Sequence, residues 1–306
     1  MREFLIQKLG HTLIVVFCVL TLVFVVLHAT GDPVMMMLPS NASREEIDAL
    51  TKSLGLDQPL IVQYGRFLGR VARGDFGVSL QHQQPAMGLV AERLPASMLL
   101  AGSALVLALA VALPLGILAA AHRGSALDRV AIGLAALGQS APIFWTGLML
   151  MLVGAVILRL LPTSGYGTWQ HLVLPALTLA AVHTGTIARM TRSSLLEVVR
   201  QEYIQSARAK GLAEWRVVVK HALRNALIPV VTVIGIGLAD LLVGAPLTET
   251  VFAWPGIGRM LVAAVGQRDL PLVMGAVLVF AVIYVMANMV VDLAYLVIDP
   301  RIRRGR

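Results

Sequence analysis

The chain has 306 residues, of which 58% are hydrophobic and only 14% charged, and its mean hydropathy is +0.80. Soluble domains carry about 25% charged residues, so the composition excludes an ordinary soluble enzyme and points to an all-α integral membrane protein. The net charge of +8 fits cations gathered in cytoplasmic loops and does not call for nucleic acid as a partner.

A short basic start (Arg2, Lys8) leads into an apolar run, Leu9–Ala29. It is about the 20 residues a spanning helix needs and lacks a clear cleavage site, so residues 1–30 read as an uncleaved first span. Cys18 lies in this run and is the only cysteine, which excludes an internal disulfide. Residues 31–94 are the longest polar segment and read as an external, periplasmic subdomain. It contains a helical piece, Arg44–Leu54, and a weak helical face from Val62, Phe67, Leu68 and Val71. Met35, Met36 and Met37, with His28 and His82, show no ligand spacing and read as an apolar border contact, so no metal site is expected.

Five further apolar runs follow, at Ala96–Ala121, Val130–Leu158, Leu172–Met190, Pro229–Val251 and Pro271–Ile298. About six transmembrane helices put both termini on one side. Arg123, Arg129, the cations of residues 191–228 and the basic tail 299–306 make that side cytoplasmic. Ala104, Ala108 and Ala112 recur at the spacing of a close helix contact, as do Gly235 and Ala239, with Gly237 and Gly244 beside them.

Ionisable groups inside spans cost a few kcal/mol and are functional suspects. Asp240 and Glu249 are the pathway candidates, with His183 and Asn288 as polar companions. Asp292, near the inner end of the sixth span, reads as a helix-end contact. A proton relay through Asp240 and His183 would make the chain a self-contained proton-coupled transporter, which is the competing reading. Trp254, Pro255 and Gly256 lie outside and precede a short helix, Ile257–Val265, that carries Arg259; this group reads as an external gate or an interfacial anchor. No phosphate loop, H-E-x-x-H or G-x-S-x-G occurs. No catalytic residue is assigned.

The most charged stretch is Gln201–Val230, with Arg208, Lys210, Arg216, Lys220 and Arg224. Leu195, Val199 and Tyr203 recur every fourth residue before Gly211. Trp215, Val218, Val219, Ala222, Leu223 and Ala226 read as one apolar stripe after it. Gly211 has the position of a helix C-terminal stop, and Pro229 marks the boundary with the next span.

Ala207-Arg208-Ala209-Lys210-Gly211-Leu212, followed by His221-Ala222-Leu223-Arg224-Asn225-Ala226 and Pro229, resembles the signature of ABC importer permeases of the dipeptide, oligopeptide and nickel family. Gly31-Asp32-Pro33, Gly74-Asp75-Phe76-Gly77, Arg189-Met190-Thr191-Arg192-Ser193 and Trp254-Pro255-Gly256 extend the likeness over nearly the whole chain. It is similar to the first of the two permease subunits such importers use. The resemblance implies a type I importer permease fold over residues 95–298 and a non-catalytic subunit of a bacterial inner membrane. It implies a second permease, two cytoplasmic ATPases that bind ATP and magnesium, and an extracytoplasmic substrate-binding protein, all in a lipid membrane. It further implies that Glu202, Gln205, Ala207, Arg208, Ala209, Lys210, Gly211 and Leu212 couple the permease to an ATPase. The family's general glutamate is replaced by Gln205, and Glu202 is the nearest carboxylate. The implied cargo is a di- or oligopeptide, or nickel or another metal chelate.

Overall fold

In the computed structural model, residues 2–29, 43–54 and 57–298 are described, and they are almost entirely helical. The elements are α1 (Arg2–Ala29), α2 (Arg44–Leu54), α3 (Leu60–Val71), α4 (Ala86–Ala121), α5 (Ala126–Leu137), α6 (Ile143–Met151), α7 (Trp169–Val198), α8 (Glu202–Ala209), α9 (Glu214–Arg216), α10 (Leu223–Val251), α11 (Ile257–Gly266) and α12 (Leu270–Ile298). Two π-helical turns, Leu152–Ile157 and Val217–Ala222, continue α6 and α9. Among the described residues the extended structure is an isolated bridge between Val78 and Pro85. In lipid, only a helix satisfies its own backbone groups along a single span.

Four helical stretches among the described residues are long and apolar enough to cross a membrane: Ala86–Ala121, Trp169–Val198, Glu214–Leu238 and Leu270–Val291. The 28-residue α1 accounts for the first apolar run. The expected third span, Val130–Leu158, is not continuous. It breaks between Leu137 and Ile143, where Gly138 leaves the helix and Pro142 opens the next one. Proline lacks the N–H that would extend a ladder from the preceding turn.

Two compact units divide the chain, one of Met1–Pro95 with Met260–Val285, the other of Ala96–Arg259 with Met286–Arg306. In the first, Leu20, Phe24 and Phe67 are buried together, with Tyr64, Leu68 and Val71 against them. Val62, expected on this face, is exposed, and Tyr64 takes its place, packing its ring edge-on to Phe24. Asp269 caps α12 by accepting from the Leu272 N–H, and Ser79 Oγ donates to the same carboxylate. His82 has its N–H and its ring Nδ1 against Ser79 Oγ, so it belongs to a hydrogen-bonded loop. Among the described residues no three His, Cys, Asp or Glu side chains are grouped to hold a metal. Met35, Met36 and Met37 lie outside the described residues, and nothing is described of the His28 side chain.

The second unit is built on α4, α7 and α10. Ala104, Ala108 and Ala112 are fully buried and let α4 approach Leu179 and Ile187 of α7. Gly116 meets Thr191 so closely that a Cβ would lie 2.6 Å from the threonine Cβ. Gly235 of α10 sits equally close to Val291. Such close approach is how spans associate where burial against lipid gives no net drive. Nothing is described of the Ala239, Gly244 and Asp292 side chains.

Candidate functional site

Three polar arrangements stand out in the second unit. The first is the charged stretch. α7 runs on past the expected span end at Met190 and stops at Val198; α8 starts four residues later. Because of that interruption Tyr203 does not continue the Leu195–Val199 stripe and is 40% exposed. Ile204 and Ala207 turn inward instead, against Leu195, Val198, Val217, Ala222 and Ala226. Gly211 follows α8 at φ +73° and donates its N–H to the Arg208 carbonyl, a left-handed stop open to glycine without strain.

After Gly211 the register differs from the expected stripe. Trp215 is 64% exposed and Val219 is also exposed, while Val217 is fully buried. The cause is the π turn Val217–Ala222. A π helix repeats about every five residues rather than four, so Val217 and Ala222 share a face that a regular helix would separate. Arg216 lies 5.3 Å from the exposed Trp215 ring centre. Pro229 is no boundary: α10 runs from Leu223 straight through Pro229 and Pro246.

Arg208 donates to the Glu214 carboxylate through Nε at 3.1 Å and a terminal nitrogen at 2.5 Å, clipping α8 to α9 across the glycine. The guanidinium holds the Glu214 carboxyl below its ordinary range. Both partners are open to solvent, and exposed pairs of this kind contribute ~0–1 kcal/mol. Asn225 donates to the Tyr203 hydroxyl at 2.6 Å. Glu202, Gln205, Arg208, Ala209, Lys210 and Gly211 are exposed, Leu212 is half-buried and Ala207 is buried. The result is a short helix with a dry root and a charged outer face.

Above it, Asp128 joins α5 to α7. Its N–H is capped by Ser125, and its carboxylate accepts from the Gly124 N–H and from Arg192 at 2.6 and 2.7 Å. The Arg192 guanidinium, helped by the Gly124 N–H, holds the Asp128 carboxyl down at about 2. The S-x-x-D pattern of Ser125 and Asp128 resembles a helix start, but the Arg192 partner is 64 residues away and was not visible in the sequence.

The second arrangement is inside the spans. Gln139, in the break after α5, donates its side-chain amide to the Val182 carbonyl and to Thr186 Oγ1, and Arg189 donates to its carbonyl oxygen. A Cβ on Gly138 would overlap the Ala181 carbonyl, and one on Gly185 the Ala135 carbonyl, so α5 and α7 touch backbone to backbone here. Asp240 is exposed on α10. His183 packs over Gly237 and lies within electrostatic reach of Asp240.

The third arrangement is at the external end. Glu249 is fully buried. Its carboxyl group accepts from Ser97 Oγ at 2.6 Å, from the Arg259 N–H at 2.8 Å and from the Gly258 N–H. Ser97 Oγ in turn accepts from the Ile257 N–H at 2.8 Å. The first three N–H groups of α11 are thus satisfied by Ser97, 160 residues from Ile257, and by Glu249 on the preceding helix, the function a local cap usually serves. Gly256 has no room for a side chain, because a Cβ would overlap the Glu249 carboxyl group. Trp254 is 1% exposed, donates Nε1–H to the Ala96 carbonyl at 2.9 Å and meets Tyr166 edge-on at 4.9 Å. It is an interior residue, which removes the interfacial-anchor reading for Trp254. Pro255 is half-buried, and Arg259 is exposed with its guanidinium on the Ala253 carbonyl. The sequence offered no signal for Ser97, an unremarkable serine in an apolar run.

Residues 112–304 match the family described as the binding-protein-dependent transport system inner membrane component, and residues 1–101 match that family's N-terminal component. The chain belongs to this family of ABC importer permeases. It is 40% identical over 339 residues to the dipeptide transport system permease DppB of Escherichia coli K12, covering all of both chains. It is 41% identical to the probable D,D-dipeptide transport system permease DdpB of the same strain, over 98% of this chain and 97% of the relative. The glutathione transport system permease GsiC of Salmonella paratyphi A is 40% identical, with 99% of each chain covered. Among solved structures, an inward-facing MetNI methionine ABC transporter has a chain that aligns at a TM-score of 0.60 and 19% identity, over 70% of this chain and 97% of that one. That likeness establishes the type I importer permease fold. The permease is a multi-pass protein of the bacterial inner membrane and a non-catalytic subunit of an ATP-driven importer. Its general partners are a second permease, ATPase subunits and a binding protein. Membership in this family sets aside a self-contained proton-coupled transporter.

Proposed function

We propose that this permease carries short peptides, delivered by an extracytoplasmic binding protein, through a path shared with a homologous second permease. Full-length likeness at 40–41% identity to dipeptide, D,D-dipeptide and glutathione permeases supports this cargo class most directly. Two cytoplasmic ATPases bind ATP and magnesium, and this chain supplies no cofactor site. Residues 1–30 form the first span, 31–94 the external subdomain, 95–298 the permease core and 299–306 the basic tail.

The coupling element is the α8–Gly211–α9 unit within residues 191–228. Its buried root (Ile204, Ala207, Val217, Ala222) packs against Leu195 and Val198 of α7 and Ala226 of α10, the contact through which a push on the unit would reach both helices. Its exposed Glu202, Gln205, Arg208 and Lys210 offer hydrogen-bonding and charged groups to an ATPase surface. Force reaching this unit passes into α10, whose Asp240 faces the cargo path and whose outer end carries Glu249. Trp254, Pro255, Gly256 and Arg259 hold the external end of the path in one shape, anchored by the Glu249 and Ser97 carboxyl–hydroxyl pair. Differential contact with the two ATPase states is what shifts the permease between inward and outward arrangements.

The deciding experiment reconstitutes the permease with its second permease, ATPases and binding protein in liposomes. Uptake of labelled dipeptide should require ATP and the binding protein and ignore an imposed proton gradient. Uptake of no peptide by an ATPase-competent complex would overturn the cargo assignment.

A further inference from the structure

The break in the third span and the cation beneath it are not explained by coupling or by the external cap. Residues 138–142 interrupt the helix inside the expected third span, Val130–Leu158, with short turns closing it (Gln139 N–H to the Ala136 carbonyl, Ser140 N–H to the Leu137 carbonyl). Non-helical backbone is tolerated within a span where it is buried in protein or faces a water-filled cavity. Within this chain it is uncovered: Ser140 is exposed, Gln139 half-buried, and Thr186 and Arg189 across from it are exposed, which leaves it facing the path shared with the second permease.

Arg189 adds a second, independent observation. Its backbone lies one residue before the expected span end at Met190, on a helix that continues to Val198. An arginine there that served only to mark the cytoplasmic side would extend its side chain down toward that interface. Arg189 does the reverse. Its guanidinium reaches to the Gln139 side chain, which is itself fastened to Val182 and Thr186. That sets the charge beside Gln139 and Thr186, on the side of Arg189 away from the cytoplasmic end of α7. One N–H direction is used by Gln139, and among the described residues no carboxylate pairs with Arg189. A guanidinium presents five donors in a planar fork suited to a carboxylate.

We propose that Arg189, held by Gln139 and Thr186 at the break of the third span, is a station in the transport path that takes the carboxylate of the cargo. This rests on the peptide reading above. Asp240, exposed on the neighbouring α10, gives the same unit an acidic group, so a zwitterionic cargo meets both signs of charge. A bare metal cation would be repelled by Arg189.

The test uses the assembled importer in liposomes, with Cys18→Ser as background and Ser140→Cys as reporter. Reaction rates are measured with two membrane-impermeant methanethiosulfonates, one bearing a sulfonate and one a trimethylammonium group, with and without ATP. The sulfonate reagent should react faster in at least one nucleotide state. Arg189→Gln should lower the sulfonate-to-ammonium rate ratio by about 10-fold or more, the scale of local electrostatic focusing, and Arg189→Lys should preserve it. A dipeptide with a free C-terminus should slow the labelling; its C-terminal amide should not. A thiol unreactive toward both reagents in every state, a rate ratio indifferent to Arg189, or equal protection by the two peptides would each overturn the station. An importer that takes up no peptide yet keeps the Arg189-dependent ratio overturns the cargo reading and leaves the anion-attracting site in place.

Discussion

At the scale of single residues, two buried carboxylates do structural work that their sequence context hides. Glu249 closes the N-terminus of α11 through contacts with Ser97, Gly258 and Arg259. Glu249→Gln replaces one acceptor oxygen with an NH2 group that faces other donors. An unsatisfied buried group costs about 1–3 kcal/mol, so the variant should melt earlier in detergent, with uptake reduced. Glu249→Asp, one methylene shorter, should fall between the two. Asp128 differs because its pKa is set by a cation. Its carboxyl is held at about 2 by Arg192 and the Gly124 N–H. A carboxyl held below its ordinary value contributes stability in full above that value, and loses it as pH falls from there through the folded value. The wild type should therefore outlast Asp128→Asn in thermal melts by a constant margin around neutral pH, and the margin should shrink below about pH 4, near the unperturbed carboxylate pKa.

At the scale of elements, the α8–Gly211–α9 unit works by being rooted on one side and free on the other. Gly211 has φ +73° and open space around its Cα, so only its backbone conformation restricts substitution. Gly211→Ala should cost about 1–2 kcal/mol locally and leave uptake measurable. Gly211→Pro cannot adopt positive φ and removes the N–H bonded to Arg208. It should cut uptake by more than tenfold while the complex still inserts and hydrolyses ATP, an uncoupling read from the ratio of ATP consumed to peptide moved; normal uptake by this variant would refute the coupling role. The π turn after it explains why the apolar stripe was misplaced. Periodicity at 3.6 selects Trp215 and Val219 for burial, and a single five-residue turn hands the position to Val217.

At the scale of the whole molecule, the chain is a conduit without an engine. Omitting the ATPases should abolish uptake in liposomes even under a steep proton gradient, whereas Asp240→Asn should change transport more than the yield of assembled complex. A loss of assembled complex alone would make Asp240 a structural residue.

Composition and pattern by themselves determined the class, the positions of most spans and the family. Six apolar runs in a chain with 14% charge have few folded solutions, since lipid demands that each span satisfy its own backbone. The glycine-centred cytoplasmic motif is local and so legible. What only the tertiary structure decided are pairings between distant residues: Ser97 with Glu249, Asp128 with Arg192, Ser79 with Asp269, and Gln139 with Arg189. A hydrogen bond requires two groups at contact distance in space, and nothing in the spacing of residues 50 to 190 positions apart along the chain encodes that meeting. The break in the third span has the same origin. Gly138 and Pro142 permit it, but the close packing of α5 on Ala181 and Gly185 of α7 makes it the shape the chain adopts.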